Sequence, residues 1–314
     1  MATKPQMVSK TAIVSHKPTF RIGRMNLVTI LSILLQPLSK RFIAGTTLSE
    51  ALKVVDDLSK KGFLTTLDHL SAEATKKNES LNATEHYMVM LKALEERNLE
   101  KNVSLKLSRI GLLVDKELCL KNLERIVEKA DTTGGFLCVD TEGLKNTDDT
   151  LDLVKRIKTS RRMPIGIVLR AVFKRTADDI VNLLNKEITI RLCKGFCRKE
   201  LKSAYKRNAD IKKEFLADAK RLLTSNSYHG ISTHDEDLIN ELISFTKKHN
   251  IDKNGFEFQM FLGIRPSLHN RLLKEGFRVR IYIPFGRLWL PYILRRMRGG
   301  RESSWFFIKN LFRK

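Results

Sequence analysis

No CxxC pair, no glycine-rich GxGxxG or GxxxxGK turn and no apolar run of bilayer length occurs in this 314-residue chain. Each absence removes a class. The four cysteines, Cys119, Cys138, Cys193 and Cys197, make no paired framework, which suits a reducing compartment. Cys193 and Cys197 have no His pair nearby, so no metal site is expected. The missing glycine motifs remove the phosphate cradles of the open dinucleotide-binding sheet and of the P-loop. The longest early apolar run, Met25 to Leu35, is about half of what spans a bilayer, and Gln36-Pro37 ends it.

Acidic residues are also scarce. There are 35 of them against 58 Lys and Arg, which gives a net charge of +23. Residues 1–49 hold none, beside seven Lys or Arg. Such a surface attracts polyanions: nucleic acid, anionic membrane or anionic small molecules. Nucleic acid is the disfavoured partner, because no Cys/His finger spacing and no RNP-like aromatic strand is present, and the basic residues are spread through the chain. Most of the charge reads as solvated surface. No small-residue cleavage site follows the N-terminal apolar run. Residues 1–41 are therefore expected to be a basic helical segment that packs on the domain or touches a membrane surface. Residues 287–314, with Trp289, Trp305, Phe306, Phe307 and Phe312 among basic residues, either pack on the domain or offer a second anionic-membrane contact. The expected location is cytoplasmic, with that contact peripheral.

What is present is an alternation of short apolar runs and capped amphipathic stretches, the pattern of repeated βα units. Thr47-Leu-Ser-Glu50 is a capping box that opens a helix with Leu48, Ala51, Leu52, Val55 and Leu58 on one face. Strands are expected at 63–67, 103–107, 136–140, 165–172, 188–193, 229–233, 255–260 and 279–284. Helix starts are read at Asp115, Thr147, Thr176-x-x-Asp179, Asp235 and Pro266. Eight such units in the 42–314 region predict an α/β fold, a (β/α)8 barrel of the TIM type. A doubly wound open sheet is the alternative, but Leu67-Asp68-His69 offers it no glycine-rich turn.

In a (β/α)8 barrel the chemistry sits at the C-terminal ends of the strands. Those ends carry Asp68-His69, Lys106, Asp140-Thr-Glu142, Arg170, Arg191, Lys194-Gly195, Thr233-His234-Asp235, Gln259 and Tyr282. Several have a plain reading: Asp235 as a helix cap, Asp68-His69 as a cap with its partner, Lys106 as a snorkelling side chain. For Lys106, Asp140 and Arg191 the plain reading is weaker, since each interrupts an apolar run where a lone charge is costly. The last strand, Val279-Arg-Ile-Tyr282-Ile-Pro284-Phe-Gly286, is followed by Tyr292-Ile-Leu-Arg295-Arg296. Tyr292, Arg295 and Arg296 fall at i, i+3 and i+4, a spacing that places two guanidinium forks over one surface and suits a carboxylate. A solvated basic helix face has the same spacing.

Taken in order, these segments resemble a known family. Arg41-Phe-Ile-Ala-Gly45, Thr66-Leu-Asp68-His69-Leu70, Ser104-Leu-Lys106-Leu, Arg191-Leu-Cys-Lys194-Gly195, Thr233-His234-Asp235, Phe256-Glu-Phe-Gln259-Met and the Tyr282 to Arg296 block are collinear with the monofunctional bacterial proline dehydrogenases. The resemblance implies a distorted (β/α)8 barrel with non-covalent FAD. It would oxidise L-proline to 1-pyrroline-5-carboxylate, the first step of proline catabolism to glutamate, and pass electrons to a membrane quinone. It further implies that Asp140 and Arg191 are the catalytic pair, and that Lys106, Arg295 and Arg296 hold the substrate carboxylate with Tyr282 and Tyr292 on the ring. Thr141, Arg170, Arg191, Lys194, Gly195, Phe196, Thr233, His234 and Asp235 would bind FAD. Three positions depart from the family: Arg170 in place of Gln, Cys197 in place of Tyr, and Gly299 in place of the Glu that closes the Tyr-x-x-Arg-Arg motif. On those departures and the +23 charge rests the alternative of a catalytically impaired barrel that binds membrane or nucleic acid.

Overall fold

A computed structural model of the chain describes residues 39–160, 164–195 and 202–297, with the side chains of Ser160, Arg296 and Met297 left out. The N-terminal basic segment up to residue 38, Phe196, Cys197, Gly299 and the aromatic tail after residue 297 lie outside the described residues.

Alternating residues point to opposite faces of a strand, and this chain uses the alternation with little exception. Along β2 (Asn102–Lys106), Val103 and Leu105 are fully buried against the helices, while Ser104 and Lys106 turn to the other side. β3 (Phe136–Asp140) repeats this with Leu137 and Val139 outward and Asp140 inward, and β4 (Ile165–Arg170) with Ile165, Ile167 and Leu169 outward and Arg170 inward. β1 (Leu64–His69), β5 (Thr189–Cys193), β6 (His229–Ser232), β7 (Phe256–Phe261) and β8 (Val279–Phe285) complete eight parallel strands that close in chain order. The continuous apolar core thus lies between strands and helices. The barrel interior, which bulky apolar side chains usually fill, here holds charged and hydroxyl groups.

The helices follow from caps and amphipathic faces. α1 (Leu48–Ser59) opens on the full capping box: Thr47 accepts from the Glu50 amide, and the Glu50 carboxylate accepts from the Thr47 amide at 2.9 Å. α1 precedes β1 and packs on both β1 and β8. The β8–β1 seam is therefore covered by the helix before the first strand, where the sequence pattern implied the helix after the last. α2 (Lys77–Glu96) follows β1. α3 (Lys116–Thr132) starts at Asp115, whose carboxylate accepts from the Leu118 amide at 2.6 Å.

α4 (Thr147–Ser160) and α5 (Thr176–Leu184) begin one residue earlier than expected, because their threonines are not caps. Thr147 and Thr176 instead donate back to the carbonyls of Gly143 (2.8 Å) and Arg170 (2.6 Å), and Asp179 pairs with Arg175. α6 (Asn208–Leu223), α7 (Glu236–Lys248), α8 (Pro266–Lys274) and α9 (Trp289–Met297) complete the series. None of the described helices is long and apolar enough to cross a membrane.

Two details shape the mouth. Residues 41–45 cross its rim as a strap: Arg41 donates to the Gly263 carbonyl, Ala44 to that of Pro284, and Gly286 to that of Gly45. A Cβ on Gly263 would lie 2.0 Å from the Arg41 carbonyl oxygen, so only glycine fits beneath the strap. Secondly, β1 is paired with β8 along all six of its residues but shares one register pair, Leu67 with Val103, with β2.

Candidate active site

Five strand ends converge at the C-terminal mouth, and their charges form one connected cluster. Asp68 of β1 is fully buried. It accepts from Lys106 at 3.1 and 3.2 Å, from Arg109 at 2.8 Å and from the Tyr282 hydroxyl at 2.7 Å. Lys106, the last residue of β2, also lies 3.1 Å from Asp140. Asp140 accepts from the Ser104 hydroxyl at 3.1 Å and has Arg191 of β5 at 3.5 Å. The Arg191 guanidinium sits over the Tyr282 ring, 5.2 Å from its centroid.

Burial works against every charge in this cluster, and the neighbours overcome it. Burial alone would raise both carboxylates, yet Lys106 with Arg109 holds Asp68 far below the usual range, and Lys106 with Arg191 lowers Asp140. Burial would lower the Lys106 ammonium, but Asp68 and Asp140 together with Tyr87 outweigh it and the group is raised. All remain charged at neutral pH. Burial pushes the Cys138 thiol up to about 12 and raises Cys193, so neither is a nucleophile at the mouth.

The cluster is not electrically balanced. Asp68 and Asp140 face Lys106, Arg109 and Arg191 in direct contact. Arg170, half-buried at the end of β4, adds its field at Asp140 without an ion pair there. Arg191 also leaves its Nε buried without a hydrogen-bond partner, and so does the Oε1 of Gln259. An excess of positive charge beside an unused donor is a site prepared for an anion and for a further polar ligand.

Around this centre the expected residues are distributed unevenly. Lys106, Asp140, Arg191 and Tyr282 are brought together. Tyr282 meets Phe261 edge to face at 5.2 Å, and Phe261 stacks on the His234 imidazole at 5.4 Å, whose Nε2 accepts from the Phe261 amide. Lys194 lies 3.8 Å from Asp235, which also pairs with Lys212 at 2.8 Å, so Asp235 ties β5 to α6 at the start of α7. Thr233 accepts from the Asp235 amide, and Thr141 donates to the Val168 carbonyl. Gly195 has a φ of +78°, and a Cβ there would press to 2.6 Å from Val172. Tyr292 of α9 is buried close enough to Tyr282 to raise its hydroxyl pKa, after burial, Asp140 and Asp68. Arg295 is exposed on the same helix, and no carboxylate pairs with it among the described residues.

Two plain readings fail. Asp68 is no helix cap, and Lys106 does not snorkel to solvent, because the two meet each other inside the barrel. Arg109 was not singled out from the sequence. It sits in the short 3-10 turn Leu107–Ile110, 3% exposed, and donates to Asp68, to Tyr87 and to the His69 carbonyl. A signal for it existed, since a lone arginine in Leu107-Ser-Arg-Ile-Gly-Leu-Leu interrupts an apolar run as Lys106 does.

A closed eight-stranded barrel with an ion cluster and a surplus of cations at its C-terminal mouth places the chain among the α/β-barrel proteins that carry their polar site at that end. Comparison with known proteins narrows the class. The sequence model of the family described as Proline dehydrogenase matches residues 51–307. Proline dehydrogenase 1 of Bacillus subtilis (strain 168) is 32% identical over 278 residues, 88% of this chain and 91% of the relative. Proline dehydrogenase of Deinococcus radiodurans is 30% identical over 280 residues, covering 88% and 90%. The crystal structure of proline utilization A (PutA) from Bdellovibrio bacteriovorus inactivated by N-propargylglycine shares the fold, with a TM-score of 0.81 at 20% identity. That alignment covers 87% of this chain and 34% of that one. The chain belongs to the proline dehydrogenase family, which is a family of oxidoreductases. The alternative of a basic binding module is not favoured by these comparisons.

Proposed function

We propose that this protein oxidises L-proline to 1-pyrroline-5-carboxylate with FAD as its cofactor. The observation that carries the reading is the Asp68–Lys106–Asp140–Arg191 cluster under Tyr282, with its surplus of cations. Proline is a carboxylate on a compact apolar ring. Lys106 and Arg295, which has no carboxylate partner among the described residues, would take the carboxylate with Arg296, while Tyr282 and Tyr292 would pack on the ring. Asp140 and Arg191 would fix the substrate's reacting face.

The residues present also fit a flavin. Arg191 Nε and Gln259 Oε1 are a donor and an acceptor without a hydrogen-bond partner among the described residues, and Gly195 allows the φ of +78° that carries the chain past Val172 after β5. Thr141, Arg170, Arg191, Lys194, Gly195, Phe196, Thr233, His234 and Asp235 would hold FAD. When bound, FAD would supply the two-electron acceptor for a hydride from proline C5. The chain's own work is to align C5, exclude water and bind the amine in its neutral form, which requires no strong base. A membrane quinone would be the electron acceptor. The +23 charge supports peripheral contact with an anionic membrane from the cytoplasmic side.

The test is an absorbance spectrum with and without added FAD, followed by L-proline under anaerobic conditions. Bleaching of a bound flavin band by proline is the expected result. A bound flavin that proline leaves oxidised would overturn the substrate, and failure to bind FAD would overturn the cofactor.

A further inference from the structure

The contacts at the mouth form a chain of alternating sign: Arg109, Asp68, Lys106, Asp140, Arg191. Three cations and two anions leave it at +1. Lys106 stands at its centre, 3.1 Å from a carboxylate oxygen on either side. An ammonium has three N–H donors, and here they face both oxygens of Asp68 and one of Asp140, so Lys106 offers a ligand its charge and not a spare donor. This arrangement depends on each carboxylate having a second cation of its own. Asp140 has Arg191, and Asp68 has Arg109.

Arg109 is built in to do this. Its side chain is 4% exposed against 22% for Lys106, so it stands behind the mouth and not in it. The Tyr87 hydroxyl at 3.3 Å and the His69 carbonyl fix the same guanidinium nitrogen that holds Asp68. We infer that Arg109 is a positioning residue for substrate binding: by balancing Asp68 it keeps Lys106 shared between two carboxylates and leaves the cluster one positive charge for the substrate carboxylate. Without Arg109, Lys106 would be the only full charge beside a buried Asp68 and would be drawn to it, and the chain of contacts would be neutral. The inference rests on the reading above that the substrate is a carboxylate.

The experiment uses the full chain with FAD added and titrates cyclopentanecarboxylate, a five-membered ring acid with no amine to oxidise, by calorimetry. Arg109→Met is expected to weaken its binding by roughly tenfold or more and to raise the KM for proline in step, with kcat within about threefold of the parent. Arg109→Lys should bind within about threefold of the parent, because it restores the charge. The double variant Asp68→Asn with Arg109→Met removes one charge of each sign and returns the remaining chain to +1. It should recover most of the lost affinity, which a purely structural role for Arg109 would not allow. If Arg109→Met fails to fold, the lysine and double variants still decide. Unchanged affinity in Arg109→Met, or a double variant or a lysine variant that binds poorly, would overturn the positioning role. A parent protein that takes FAD yet ignores the ring acid would instead overturn the carboxylate reading, and with it this inference.

Discussion

Two ion clusters occupy the inside of the barrel, one at its floor and one at its mouth, and they are built on opposite plans. At the floor, Arg280 of β8 meets Glu257 at 2.6 and 2.9 Å, Glu100 at 2.7 Å and the Thr65 carbonyl at 2.6 Å. Glu257 also accepts from Tyr228 and Gln259. There one arginine sits among carboxylates and a carbonyl, and each of its three nitrogens has a partner. At the mouth, cations outnumber carboxylates and Arg191 keeps an unused donor. A cluster whose charged groups all find partners holds strands together, even with the Gln259 Oε1 left over beside it, whereas one with surplus cations waits for a ligand. The same residue types therefore serve stability at one end and function at the other, and the count of partners tells them apart.

Substitutions at the two ends should separate these roles. Arg191→Met should lower proline oxidation by about 10³-fold or more while leaving the melting temperature within a few degrees, which turnover and calorimetry would check together. Arg280→Met should do the reverse: it strands Glu257 in the interior and should cost roughly 3–5 kcal/mol of stability, read from urea unfolding. Equal losses of activity and stability in both variants would erase the distinction. Gly195→Ala should weaken FAD binding by roughly tenfold, measured by flavin fluorescence, because a side chain at φ +78° is strained and crowds Val172.

The smallest effect concerns neither cluster. Burial lowers His229 and His269 to about 4, so both are neutral in the folded protein at ordinary pH. The unfolded chain takes up protons first, near 6.5, so their contribution is intact above that pH and is lost as pH falls from there toward about 4. Melting temperature should fall by several degrees across that window. A flat profile would show that the folded protein protonates these histidines as readily as the unfolded chain does.

The barrel was legible because its signals are local. Period-two alternation, the Thr47 capping box and eight strand-like runs each need only a few neighbouring residues, and the observed strands lie within about two residues of the expected ones. The charged centre was half legible. Lys106, Asp140 and Arg191 interrupt apolar runs, and the cost of burying a lone charge makes such residues visible. Asp68 was hidden by His69, since a polar pair at a strand end is also how a helix cap is written. Arg109 was hidden by the 3-10 turn that tucks it behind β2, a matter of backbone path and not of composition. That the β8–β1 seam takes its helix from before the first strand depends on closure, which no local signal carries.

That closure has a consequence in time. β1 spends its backbone hydrogen bonds on β8 and meets β2 at one register pair, so the first-made strand depends on the last-made. The two are 215 residues apart where Arg280 reaches Thr65. At ribosomal speeds of about 5–20 residues per second, β1 waits for roughly 10–40 seconds with that edge unpaired. Meanwhile its hold on β2 is the one register pair and a few side chains: Thr66 to Asn102 at 2.6 Å, and Asp68 to Lys106 and to Arg109 beyond it. The charges that prepare the mouth are then also the early fastening of a nascent sheet, and a chain released before its final strand would expose the first to aggregation.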